Sequence, residues 1–259
     1  MTGHFHYQDP YPENSTGVLL LHGLGTDSTS WMLQFGGLNS AGFRPIAPDI
    51  IGFGQSPYDG RGWSVARVAG LLKDFIIGFG IGPVHVVGLS MGGVLAQQFA
   101  IDYPHLVRKL VLASTFSALR PANFNQGLYF LARLLVVHTM GLRAQSKIVS
   151  KRIFPNPDQA QLRELVEMQI ASANPAVYRA AIRGLGFFNS SGKLKNIKKP
   201  VLVIGGENDT TVSVRLQRRL AEGIPGAVQV IVPEGGHALS IDHSELFTAQ
   251  LVKFLSAPE

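Results

Sequence analysis

Ser90 lies in Gly88-Leu89-Ser90-Met91-Gly92, a G-x-S-x-G pattern. A serine hydroxyl is a weak nucleophile at neutral pH. It attacks a carbonyl only when a base takes its proton and a third group orients that base. Two later stretches supply such groups, Gly205-Gly206-Glu207-Asn208-Asp209 and Pro233-Glu234-Gly235-Gly236-His237. Each follows a short apolar run and contains glycines. Serine, then acid, then histidine is the chain order of a triad whose serine sits on a strand-to-helix turn. The pattern predicts acyl transfer, with Ser90 as nucleophile, His237 as base and Asp209 as orienting acid.

Other titratable groups fit these roles less well. Glu207 and Asp242 are the alternative acids. His243 follows close behind His237 but lacks its glycine-rich loop. His85 lies within a β-branched run and reads as a packing histidine. His105 follows Pro104 at a helix end, a surface position. Acyl transfer also puts negative charge on the former carbonyl oxygen, which two backbone N–H donors can hold. One is expected from Met91, directly after the nucleophile. The other is expected from Leu24 in His22-Gly23-Leu24-Gly25, where flanking glycines allow close approach. His22 is expected to hold that loop in place.

These groups need a scaffold that brings them to one rim. Val18–Leu21, Phe43–Pro48, Val84–Val87, Val107–Leu112, Val201–Ile204 and Val228–Val232 read as strands. Ser30–Leu38, Val65–Ile77, Gly92–Tyr103 and Leu246–Leu255 read as helices. Apolar strands alternating with helices imply an α/β fold, a mostly parallel sheet covered on both faces. Ligands of such sheets bind at the C-terminal strand ends. Residues 117–188 break the rhythm, with helical segments and no clear strand. The expected organisation is a core of 1–116 and 189–259 with a helical insertion of 117–188.

The motifs together carry a family resemblance. Leu21–Gly25 (LHGLG), Asp49–Ser56 (DIIGFGQS), Gly88–Gly93 (GLSMGG), Gly205–Asp209 (GGEND) and Gly235–His237 (GGH) resemble the α/β-hydrolase superfamily. The likeness spans the chain outside the insertion. It implies that the insertion is a lid, and that the Asp49 turn is structural. Within the superfamily the chain is similar to lidded carboxylesterases and monoacylglycerol-lipase-like enzymes. Gly88–Thr115 also looks like intracellular polyhydroxyalkanoate depolymerases and enol-lactonases. The chain departs from the pattern after the acid. The family often has proline three or four residues on, and here the stretch is Thr210-Thr211-Val212-Ser213.

The resemblance implies a serine carboxylic ester hydrolase, whose acyl-transfer cycle needs no metal or organic cofactor; the apolar insertion adds the expectation of short-to-medium acyl esters. Enol-lactone opening, C–C bond hydrolysis and perhydrolysis are alternatives on the same scaffold. A noncatalytic ligand-binding protein is the alternative outside enzymes. The apolar insertion segment suggests substrate contacts from Leu128, Leu131, Leu135 and His138, joined by Trp31, Phe187 and Phe188.

Bulk properties bound these readings. Of 259 residues, 46% are apolar and 15% charged, enough to bury a sizeable core. There is no cysteine, which excludes disulfides and thiol chemistry. The N-terminal stretch has no basic region leading into an apolar one, so a cytoplasmic protein is expected. No apolar run is long enough for a membrane span. The net charge of +6 is uneven: 117–190 holds nine Lys/Arg and three acids. Such a field can steer anionic ligands. No nucleic-acid-binding module accompanies it. The expected partner is a small ester, with transient contact at a lipid interface also compatible; oligomeric state is not encoded legibly.

Overall fold

A computed structural model describes residues 5–119 and 124–258. Its seven-stranded sheet has the order β1-β3-β2-β4-β5-β6-β7. The strands are β1 (Tyr7–Gln8), β2 (Thr16–Leu21), β3 (Phe43–Pro48), β4 (Val84–Leu89), β5 (Val107–Ala113), β6 (Val201–Gly206) and β7 (Val228–Val232). Within this sheet, among the described residues, only the β1–β3 pairing is antiparallel. The short β1 pairs with just Ala47 and Pro48 of β3, so Pro45, with no N–H to give, needs no partner on that side.

Side chains alternate between two cores, as the two-residue strand period requires. Val18 and Leu20 of β2 face α1 (Met32–Ser40) and α10 (Ser244–Ser256) through Phe35, Leu38, Phe247 and Leu251. Leu19 and Leu21 face α2 (Val65–Phe79) and α3 (Met91–Asp102) through Val68, Leu72, Val94 and Leu95. Burial on both faces explains why these strands are continuous apolar runs. Ser64 caps α2 by accepting from the Arg67 N–H at 3.2 Å, and Gly80, at φ 68°, ends it.

Besides β1 and a short helix at Leu239–Asp242, neither of them expected, two features differ from the sequence expectation. Ser30–Leu38 opens as a 3₁₀ turn, Ser28–Trp31, before α1 begins. Helix α8 (Val214–Gly223) was not among the expected helices, since RLQRRLAEG is mostly polar; only a narrow stripe, Leu216, Gln217, Leu220 and Ala221, is buried. The last short helix is α9 (Leu239–Asp242).

Between β5 and β6 the chain forms α4 (Phe124–Thr139), α5 (Gly141–Ile153), α6 (Ala160–Ser172) and α7 (Pro175–Phe187). A bridge between Ala118 and Asn189 closes the base of this excursion. There Ser190 donates from N to Ser117 O at 2.9 Å and from Oγ to Gln97 Oε1 of α3 at 2.8 Å. Among the described residues no helix is long and apolar enough to cross a membrane.

Candidate active site

Ser90 occupies the turn between β4 and α3 with φ 54° and ψ −110°, a conformation that costs a non-glycine residue about 1–3 kcal/mol. Neighbouring backbone holds it there. The Ser90 N–H donates to Ala113 O at 2.9 Å, and the Thr115 hydroxyl donates to Ser90 O at 2.8 Å. The flanking glycines are steric requirements. A Cβ on Gly92 would collide with the Leu21 carbonyl, and one on Gly88 with the backbone of Gly92.

Asp209 and His237 reach Ser90 from β6 and β7. His237 Nε2 lies 3.1 Å from Ser90 Oγ, and His237 Nδ1 lies 2.8 Å from Asp209 Oδ2. The carboxylate accepts, so we assign the proton to Nδ1; Nε2 then accepts from the serine hydroxyl. Asp209 Oδ1 accepts from the Thr211 and Val212 N–H groups, both at 2.8 Å. Asp209 and His237 are buried. Their loops are pinned together, Asn208 N–H donating to Gly235 O at 2.9 Å. Glu207 and Asp242 do other work: they accept from the Glu234 N–H at 3.3 Å and the Gly236 N–H at 3.2 Å.

Gln217 was not singled out in the sequence. Fully buried on α8, it donates from Nε2 to Val212 O at 2.8 Å and approaches Asp209 Oδ2 at 3.5 Å. Its one legible signal is a polar side chain within the apolar stripe of α8.

The Gly23–Leu24 backbone passes beside the nucleophile. A Cβ on Gly23 would sit 4.0 Å from Ser90 Cβ. His22 braces the loop: Nδ1 is 2.8 Å from Gly23 O, and Nε2 accepts from the Ile50 N–H at 2.8 Å. Burial pushes its pKa down, and the neutral ring matches one donor role and one acceptor role. Asp49 ties the adjacent turns, accepting from Ser28 N–H at 2.8 Å, Gln55 N–H at 2.8 Å and His6 Nδ1 at 2.9 Å. Burial raises its pKa, but hydrogen bonds from Ser28 and Gln55 outweigh that and hold it low. Met91 buries its side chain and opens α3, whose first backbone bond runs from Val94 N–H to Ser90 O at 3.1 Å. Its N–H therefore precedes the helical ladder.

Ser90, His237, Gly23 and Leu24 line a cavity of about 290 Å³. Its other walls are mainly apolar, with Phe130, Leu134, Val149 and Ile170 from α4, α5 and α6 among them. None of the seven residues expected at the substrate is on this wall. Trp31 is fully buried in the α1–α10 core, stacked on Phe247 with ring centroids 6.3 Å apart. Leu128, Leu131 and Leu135 project outward, and Phe187 is 87% exposed. His138 is on the same outer side, its Nδ1 2.7 Å from Leu134 O. Phe188 is buried in the core. For the four on α4 the cause is a rotation of one position. Helix α4 is apolar around most of its circumference, and Tyr129, Phe130, Arg133 and Leu134 form the inward face.

The model of the Alpha/beta hydrolase family matches residues 18–250. The chain belongs to the alpha/beta hydrolase family. A Variovorax paradoxus protein named as a carbamate hydrolase, RutD, is 31% identical over 97% of this chain and 96% of its own length. The fold is similar to that of an esterase from Exiguobacterium antarcticum, with TM-score 0.89, 21% identity and coverage of 98% and 96%. It is equally similar to the enol-lactonase from Burkholderia xenovorans LB400, with TM-score 0.88, 22% identity and the same coverage. Membership makes the chain a hydrolase; the bond it cleaves is a separate matter.

Proposed function

We propose that the protein is a serine carboxylic ester hydrolase that works through an acyl-enzyme. The observation that carries this is the continuous Ser90–His237–Asp209 hydrogen-bond chain opening into an apolar cavity. His237 Nε2 takes the hydroxyl proton as Ser90 Oγ bonds to the ester carbonyl carbon. The Leu24 and Met91 N–H groups hold the oxyanion. His237 then gives its proton to the departing alcohol. Water, deprotonated by the same nitrogen, attacks the acyl-enzyme and releases the acid. Asp209 fixes the productive tautomer and stabilises the imidazolium.

Residues 117–188 act as the lid in this proposal, since α4 to α7 supply most of the chamber's apolar wall. That wall suits short-to-medium acyl chains. The RutD relatives favour a second reading, carbamate hydrolysis, in which the same groups attack a carbamate carbonyl. The apolar chamber argues for the ester, because a carbamate of a few heavy atoms would leave most of it unfilled.

A fluorophosphonate probe followed by a substrate panel separates these readings. We expect stoichiometric labelling of Ser90, lost in Ser90→Ala, and the highest kcat/KM on p-nitrophenyl esters of intermediate length. An unlabelled serine would sink the acyl-enzyme proposal. Faster turnover of carbamates, enol-lactones or vinylogous diketones would reassign the bond.

A further inference from the structure

The cavity beside Ser90 holds a charge that hydrolysis of a neutral ester does not use. Arg133, on the inward face of α4, lines the same chamber as Ser90 and His237. Among the described residues, only neutral groups hold its guanidinium. Gln145 Oε1, with its amide oriented to satisfy both side chains, accepts from Nε at 2.8 Å and Nη2 at 3.3 Å. Tyr178 Oη accepts from Nη2 at 3.2 Å. The Tyr129 ring centre is 5.7 Å from Arg133 Cζ, and the Arg152 guanidinium is 3.9 Å from that same ring. Gln145 and Tyr178 are fully buried, so the fork is fixed in orientation.

Among the described residues no carboxylate pairs with Arg133. The acids of the insertion are engaged elsewhere or face solvent. Glu167 accepts from Ser150 Oγ at 2.6 Å, and Asp158 and Glu164 are exposed. Arg133 is half-buried, and a guanidinium partly withdrawn from bulk water without a counter-charge is costly to keep. Its planar fork matches a carboxylate in geometry as well as charge. The excess of positive charge in 117–190 adds a field of the same sign around it.

We infer that Arg133 is a carboxylate-binding subsite, and that the substrate is an ester carrying a second, anionic carboxylate remote from the scissile carbonyl. The inference rests on the ester-hydrolase proposal for the identity of the cleaved bond, and on the cavity alone for the anion. Arg133 here is a specificity residue; the reacting atoms remain those of the triad.

The test pairs charged and neutral substrates of equal length. In one series, p-nitrophenyl hemiesters of succinate, glutarate and adipate are set against the butyrate, pentanoate and hexanoate. In the other, acetate esters of ω-hydroxy acids are set against alkyl acetates. Wild type should prefer the anionic member at least tenfold in kcat/KM, mainly through KM, in one of the series. Arg133→Gln should collapse that ratio at least tenfold, and Arg133→Lys should retain part of it. A purely structural Arg133 would alter stability without moving the ratio. No preference in either series, or a preference that Arg133→Gln leaves intact, would overturn the inference.

Binding supplies a readout independent of turnover. Calorimetric titration of Ser90→Ala with glutarate and adipate at low ionic strength should show saturable binding of at least one. Absence of binding by both overturns the subsite, even if Arg133→Gln proves unfoldable. An unlabelled Ser90 with dicarboxylate binding intact would instead overturn the ester-hydrolase proposal alone.

Discussion

At Ser90 the backbone is held where a side chain is disfavoured, and that cost is measurable. Replacing Ser90 by alanine keeps the unfavourable φ, whereas glycine adopts it freely. Ser90→Gly should therefore be more stable than Ser90→Ala by about 1 kcal/mol in urea unfolding. Asp209→Asn should lower kcat by about 10⁴-fold, because the amide favours the wrong imidazole tautomer; steady-state kinetics on a p-nitrophenyl ester reads this directly. Gln217 acts through Asp209. Gln217→Leu leaves the buried Val212 carbonyl without its donor, at a cost of about 1–3 kcal/mol by denaturant unfolding. The same variant should lower kcat more than it raises KM, since it loosens the acid while Gln217 itself is not a cavity-lining residue.

Elements position these residues by where they end. Helix α4 shows how sensitively a face is chosen. Leu134 lines the cavity and Leu135 points to solvent. Leu134→Glu should depress kcat/KM on medium-chain esters by more than tenfold, as it places an unpaired carboxylate in an apolar wall. Leu135→Glu should change kcat/KM by less than about twofold, because an exposed substitution away from the cavity perturbs little. A reversed result would mean that the helix presents its other face. The periodicity of α4 was legible in its sequence. Its rotation was not, since leucines run down both faces and only packing against α5 and α7 picks one.

For the whole molecule, two buried groups couple stability to pH. His22 has its pKa lowered below 6.5 by burial. The unfolded chain therefore binds the proton first. His22 contributes fully above pH 6.5, and its contribution falls as the pH drops below that value. Asp49, also held below its ordinary 3.8, contributes fully above that value and loses its contribution as the pH falls through its folded-state pKa. Urea unfolding across pH 4.5–7.5 should show stability declining on acidification, with a shallower slope in His22→Asn. The fold places both groups under the Gly23–Leu24 loop, so the acid limb should weaken that loop first. Hydrogen exchange at Leu24 would register it.

The sequence by itself determined the strand runs, the turn carrying Ser90, and the loops carrying Asp209 and His237, because each is written in a few consecutive residues. Glycines mark where backbones must touch, and β-branched runs mark buried strands. Only the tertiary structure decided that Asp209, rather than Glu207 or Asp242, meets His237. It alone turned Arg133 inward and Leu131 outward, and put Trp31 under α10. Those outcomes depend on neighbours distant in the chain. A side chain's surroundings are set by what packs against it, and one-dimensional spacing does not hold that information.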